Sequence, residues 1–129
     1  MTRVNSIAVL ASVAGLDQLT KYFAFRVIKN PGLPFGIDLG GKDFLEIGVI
    51  IALLAIFILL YAFYFRRLSL GFVLIVSGAL SNLADRIYLG AVRDFIDVGI
   101  ATMNIADLAV WTGIVMLLFS IRISNYSNF

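Results

Sequence analysis

Between Ile47 and Phe65 the chain reads IGVIIALLAIFILLYAFYF, without one charged residue. About 20 consecutive apolar residues cross a bilayer core as a helix, so this run predicts a transmembrane span on length alone. Leu68 to Ala84 and Leu108 to Ile121 are uncharged too, and Val4 to Phe25 is apolar as far as Leu16 before it meets Asp17, Gln18 and Lys21. The pattern predicts an all-α membrane protein with four transmembrane helices, at about 4–25, 45–65, 68–86 and 104–122, in a single domain over residues 1–129. The opening MTRVNSIAVLASVAGL imitates a secretory signal peptide. Its removal would leave an odd number of spans and discard Asp17 and Lys21, so it reads as the first permanent span.

The polar positions gather at one end of these spans. Asp17 and Lys21 are four apart and share a helix face, with the acid on the favourable N-terminal side. Asn82, Asp85 and Arg86 share a face in the last turn of the third span, and Gly78 one turn below lets a neighbouring backbone come close. Asn104 and Asp107 stand three apart in the first turn of the fourth, where a carboxylate suits the helix N-terminus. The second span reads as a wall facing lipid. The connection NPGLPFGIDLGGKDF, from Asn30, holds both prolines of the chain and reads as a turn-rich loop able to lie over the site.

Charge orients the spans. Arg3, Arg66, Arg67 and Arg122 fall on one side if the helices alternate, which makes the N- and C-termini cytoplasmic. Residues 26–46 are neutral in sum and residues 85–107 carry a net −2, so the acids face outward on short loops that carry the site.

Composition then narrows the chemistry. The chain is 61% hydrophobic and 14% charged, its net charge is +2, and it has neither Cys nor His; its mean hydropathy is +1.01. Disulfides, thiolate nucleophiles, imidazole bases and a zinc site are excluded, so no metal is expected. The small, dispersed positive charge argues against nucleic acid. Several polar groups have a plain structural reading. Asp17 with Lys21 is a self-neutralising pair in a bundle, and Asp85 with Arg86 an interfacial pair that positions structure or substrate. Asn30 and Asn104 are caps or turn formers, Asp97 a solvated loop acid, and Trp111 an interfacial aromatic. Asp107 differs, because no basic residue lies within a turn of it on its own helix. Paired carboxylates are the acid–base equipment left: one keeps a proton, the other takes one from water. Asp94 and Asp107 can form such a pair if the segment between them folds back. A Ser–Lys dyad of Lys21 with Ser77 or Ser81 is the weaker alternative, since it leaves the acids without a use.

Four segments carry a family resemblance. DQLTKYFA (17–24), NPGLPF (30–35), SGALSNLADRIYLGAVRDFID (77–97) and NIADLAVWTG (104–113) resemble, in order, the D-x-x-(S/T)-K, N-x-G-x-x-F, G-x-x-x-N-x-x-D-R-x-x-x-G-x-V-x-D-F and N-x-A-D-x-x-(I/V)-x-x-G motifs of the lipoprotein signal peptidases. The last two together are highly specific. The resemblance implies an intramembrane aspartic endopeptidase in the bacterial cytoplasmic membrane, removing signal peptides from diacylglyceryl-modified prolipoproteins at the outer face. It implies Asp94 and Asp107 as the catalytic dyad, Asn30, Asn82, Arg86 and Asn104 as substrate-binding residues, and Asp17, Lys21 and Asp85 as supports of the site. Lipid-modified signal peptides and membrane lipids are the implied partners, with no cofactor and no obligate protein partner. The chain departs from the family at Ser81, where a Gly is usual, and in short connections at 31–42 and 95–106. These departures bear on lid behaviour and substrate range. The alternatives are a small four-helix proton-coupled transporter, which needs an acid near the midplane, and an inactive homologue that binds lipopeptides.

Overall fold

Each predicted span folds as a helix. The computed structural model describes residues 3–30, 43–65 and 68–126. In chain order come α1 (Arg3–Phe23), β1 (Ile28–Asn30), α2 (Asp43–Tyr64), α3 (Leu70–Leu89), β2 (Val92–Asp94), β3 (Ile96–Asp97), β4 (Thr102–Met103) and α4 (Ile105–Tyr126). The loop at 31–42, read above as a cover for the site, and the basic pair Arg66 and Arg67 lie outside the described residues. Among the described residues three helices, Phe44–Tyr64, Leu70–Leu89 and Ile105–Arg122, are long and apolar enough to cross a membrane.

The fold is mostly helical rather than all-α. β1 and β2 pair antiparallel, with Ile28 opposite Asp94, Lys29 opposite Arg93 and Asn30 opposite Val92. β3 and β4 form a second antiparallel pair. Strands of two or three residues are too short to impose an alternating pattern on the sequence, so periodicity does not predict them.

α3 is the hub. In its most apolar window 56% is buried, against 6% for α2 and 11% for α4. Ser69 caps its start by accepting from the Phe72 backbone N–H at 3.2 Å, and the Tyr61 hydroxyl donates to Ser69 Oγ at 2.8 Å. The same tyrosine stacks on Phe72 at 3.9 Å between ring centroids, so this end of α2 is tied to α3 by an aromatic core with Val73 and Val76. The rest of α2 presents Leu53, Leu59 and Phe63 outward, as a lipid-facing wall requires; buried Tyr61 and Glu46 are its exceptions.

α3 and α4 touch backbone to backbone. A Cβ on Gly78 would stand 2.3 Å from the Ala106 carbonyl oxygen. Near the other end Gly113 and Gly71 face one another in the same way, a Cβ on Gly113 lying 2.5 Å from the Gly71 oxygen. Small residues permit this approach, and van der Waals packing then holds helices that gain nothing from burying apolar surface away from lipid. α3 stops at Gly90, whose φ of 69° is left-handed and whose N–H returns to the Arg86 carbonyl at 3.1 Å. A side chain is strained there. The turn sends β2 back beside the end of α3.

Candidate active site

The ends of α1, α3 and α4 meet β2 at one level of the bundle. Asn104 is fully buried and joins the two acids singled out above. Its Nδ2 donates to Asp94 Oδ1 at 2.7 Å and to Asn82 Oδ1 at 3.0 Å. Its backbone N–H donates to Asp107 Oδ2 at 3.1 Å, and its Oδ1 accepts from the Asp107 N–H at 2.9 Å. That reciprocal pair is a capping box with Asn at the N-cap and Asp three residues on. Asn82 Nδ2 donates to the other Asp107 oxygen, Oδ1, at 2.8 Å. Both Asp107 oxygens thus accept N–H donors. The side chain of Asn30, at the end of β1, hydrogen-bonds Asp94. The sequence reading of Asn104 as a cap holds, while Asn30 is a strand residue rather than a helix cap.

A charged network lies against this cluster. Lys21 donates from Nζ to Asp17 at 2.6 Å, Asp85 at 3.1 Å and Asn82 Oδ1 at 2.9 Å. An ammonium has three N–H donors, and all three are engaged. Asp17 accepts from the Ala106 backbone N–H at 2.8 Å and from the Ser81 hydroxyl at 2.7 Å. It therefore holds the first turn of α4 as well as neutralising Lys21. Asp85 is clamped by Arg93, eight residues on in the sequence. It accepts from Arg93 Nη2 at 2.8 Å, Nε at 3.3 Å and the Arg93 backbone N–H at 3.1 Å. Arg86 is attracted by Asp107, Asp94, Glu46 and Asp85. Ser77 donates to the Val73 carbonyl and Ser81 to Asp17, so Lys21 spends its donors on partners other than the serines that a Ser–Lys dyad requires.

Burial raises the Asp94 pKa above the ordinary value, and the negative charge of Asp107 adds to this; hydrogen bonds from Asn104 and Asn30 and the charge of Lys21 oppose it. The Arg93 guanidinium is pushed up by its bonds to Asp85. Among the described residues no group of three or more His, Cys, Asp or Glu is placed to hold a metal ion.

All nine residues singled out in the sequence lie in or against this cluster. Asp97 lies apart: it is exposed and accepts from the Gly99 N–H at 2.8 Å, closing the β3–β4 turn. Gln18, Arg93 and Glu46 were not singled out for a role at the site, and Ser81 was weighed only as a dyad partner of Lys21 and as a departure from the family. Gln18 donates to Ser81 Oγ and to Asp85, each at 3.0 Å. Ser81 fills the position noted as a departure. Arg93 clamps Asp85. Glu46 is only 4% exposed at the site end of α2. The one signal for Glu46 was an acid opening an otherwise apolar run; Gln18 and Arg93 gave none, because their partners lie 63 or more and 8 or more residues away.

A model of the signal peptidase (SPase) II family matches residues 4–123. The chain is similar to the lipoprotein signal peptidase of Thermodesulfovibrio yellowstonii, 36% identical over 126 residues that cover 81% of this chain and 85% of the relative. It is similar to that of Burkholderia thailandensis, 33% identical over 129 residues that cover 91% and 78%. A solved bacterial membrane enzyme, determined by the in meso method at 2.3 Å, superposes with a TM-score of 0.76 at 26% identity, covering 98% of this chain and 92% of that one.

Proposed function

We propose that this chain, which belongs to the signal peptidase II family, cleaves its substrate with Asp94 and Asp107 as a proton-sharing pair. Lipoprotein signal peptidases are aspartic endopeptidases that act on prolipoproteins, and the chain is an enzyme of that kind. The single observation that supports the pair is Asn104, which hydrogen-bonds both carboxyl groups at once. Asp107 is the ionised member, because each of its oxygens accepts an N–H. Asp94 holds the shared proton, in keeping with its burial beside a negative charge.

The reaction follows from those states. Asp107 takes a proton from water, and the oxygen attacks the scissile carbonyl carbon. Asp94 donates its proton to the carbonyl oxygen, which becomes a hydroxyl of the tetrahedral intermediate. As the intermediate collapses, the C–N bond breaks, Asp107 returns its proton to the leaving amine, and the hydroxyl proton goes back to Asp94. Arg86, near both acids, Asn82 and Asn30 position the peptide. Asp17, Lys21 and Asp85 hold the helix ends.

In the membrane, α1 is the first of four spans, the chain forms one domain, and both termini are cytoplasmic. The site then lies at the outer face of the bacterial cytoplasmic membrane. A peptide whose cleavage-site Cys bears a diacylglyceryl group enters from the lipid, with its acyl chains against the apolar helix surfaces. The acids crowd one end of the bundle, which disfavours a transporter.

The test is cleavage of a diacylglyceryl-modified prolipoprotein by purified protein, followed by mass determination of the released peptide. Asp94→Asn and Asp107→Asn each lower kcat by about 10²–10⁴-fold, with thermal melts close to the parent. Undiminished cleavage by either variant sinks the assignment of the pair, and a parent protein that binds but never cuts is the inactive homologue.

A further inference from the structure

We propose that Arg93 is a positioning residue: by gripping Asp85 on α3 and Gln18 on α1, it holds β2, and with it the carboxyl group of Asp94, in place beside Asn104 and Asp107. Arg93 has this role only if Asp94 and Asp107 are the cleaving pair proposed above.

Alternation along a strand sends the Arg93 side chain to the opposite face from its neighbour Asp94. On that face Nη2 and Nε reach the two oxygens of Asp85, and Nη2 also donates to Gln18 Oε1. The Arg93 backbone N–H meets the same carboxylate. Strand and side chain are thus anchored at a single buried acid, 2% exposed. β2 needs such an anchor. Its ladder with β1 is three residues long, and an isolated two-stranded pair of that length is marginal by itself.

The grip extends beneath the site. Gln18 Nε2 donates to Asp85 and Ser81, Ser81 donates to Asp17, and Lys21 bridges Asp17, Asp85 and Asn82. Asn82 in turn faces Asp107. One side of the network ends on Asp94 through the strand, the other on Asp107 through an amide. Arg93 and Ser81 are both outside the family motifs quoted above: position 93 is an open x, and 81 departs from the usual Gly.

A planar fork matches two carboxylate oxygens in a way that an ammonium cannot. The experiment compares Arg93→Met, Arg93→Lys and, as a control, Lys29→Met, an exposed cation opposite Arg93 in the ladder. Cleavage of the lipidated prolipoprotein is measured together with the titration of Asp94, read by carbon NMR of labelled aspartate. Arg93→Met lowers kcat by about 10–100-fold, as small misplacements of a reacting group do, with KM within about twofold of the parent on the same reasoning. Arg93→Lys keeps the charge, yet its kcat stays closer to that of Arg93→Met than to the parent. Lys29→Met leaves kcat unchanged.

The Asp94 midpoint separates positioning from charge. Lys21 from α1, Arg86 from α3 and Asp107 from α4 face Asp94 in every variant. Loss of a nearby cation alone would raise the midpoint. A loosened strand admits water to the carboxyl group, and the midpoint falls toward that of an ordinary aspartate. An Arg93→Met enzyme with parental kcat, or an Asp94 midpoint that stays or rises, overturns the proposal. Should Arg93→Met not fold, Arg93→Lys is judged by the same two readouts. Full cleavage by Asp94→Asn instead sinks the pair itself, while the Asp94 titration still reports whether Arg93 holds the strand.

Discussion

Asn104 is a small amide with a large share in the site: it caps a helix, orients Asn82 and touches both acids. Because Asp94 is buried beside Asp107, it keeps its proton at pH values where an ordinary aspartate, at 3.8, has lost it. The rate should trace a bell, with its alkaline limb above 3.8. Single-turnover cleavage across pH measures this, and a rate that already collapses near the ordinary value contradicts the shared proton. Linkage has a matching sign. The folded state binds this proton more tightly than the unfolded state, so Asp94 weakens folding as pH rises from its unfolded to its folded value. Asp17 acts differently. It is fully buried, neutralises Lys21 and accepts the Ala106 N–H. Asp17→Ala takes from a buried ammonium one of its two acids, leaves the Ala106 amide unpaired, and should cost about 1–3 kcal/mol of stability. Thermal unfolding in detergent checks this, and a melt equal to the parent's would assign the residue to chemistry instead.

Helix α4 brings Asp107 to the site because α3 lets it come close. A methyl group at Gly78 would meet the Ala106 carbonyl oxygen at 2.3 Å and Val110 Cγ2 at 2.8 Å, contacts that only a separation of the helices relieves. Overpacking of this kind costs about 1–3 kcal/mol. Ala106 adjoins Asp107, so the same shift moves a reacting group. Gly78→Ala should therefore lower both the melting temperature and kcat, whereas Leu80→Ala, at a partly exposed position of the same helix, should leave kcat near the parent value. Kinetics per folded molecule separate the two effects, and unchanged kcat in Gly78→Ala would show that α4 tolerates the displacement. The capping box explains why this helix starts where it does: Asn104 and Asp107 satisfy one another's backbone N–H, and one carboxylate serves both the helix end and the site.

Across the whole molecule, polarity is segregated lengthwise. One end holds the acids, amides and cations; the other holds the aromatic core of Tyr61 and Phe72 and an apolar groove bordered by Ile7, Leu10 and Val76. Large apolar side chains cover the outside, among them Leu19, Leu59 and Leu118, each more than half exposed, a surface suited to lipid rather than water. Lying at one end of the bundle costs the buried charges less than the bilayer centre would. Since the chain has no Cys, single cysteines report topology cleanly. A membrane-impermeant thiol reagent added to intact spheroplasts should label Asp97→Cys in the β3–β4 turn and leave Asn5→Cys near the N-terminus unlabelled. The reverse pattern would invert the proposed orientation.

Much of this was legible in the residues. Apolar runs of membrane-crossing length dictate helices because an unpaired backbone is costly in lipid, and the absence of Cys and His removes whole classes of chemistry. Helical spacing also determined that Asp17 meets Lys21, since residues four apart face one way. Spacing within a helix does not say which face meets which neighbour. Asp85 was readable only with Arg86 beside it, yet the turn at Gly90 delivers Arg93 to it at 2.8 Å. Ser81 read as an intrusion on close packing, but its hydroxyl is consumed by Asp17 and Gln18. Those pairings, and the amide that joins Asp94 to Asp107, depend on how closely helices cross and where a short strand is anchored. Contacts between distant stretches of chain decide them, and only the folded molecule brings those stretches together.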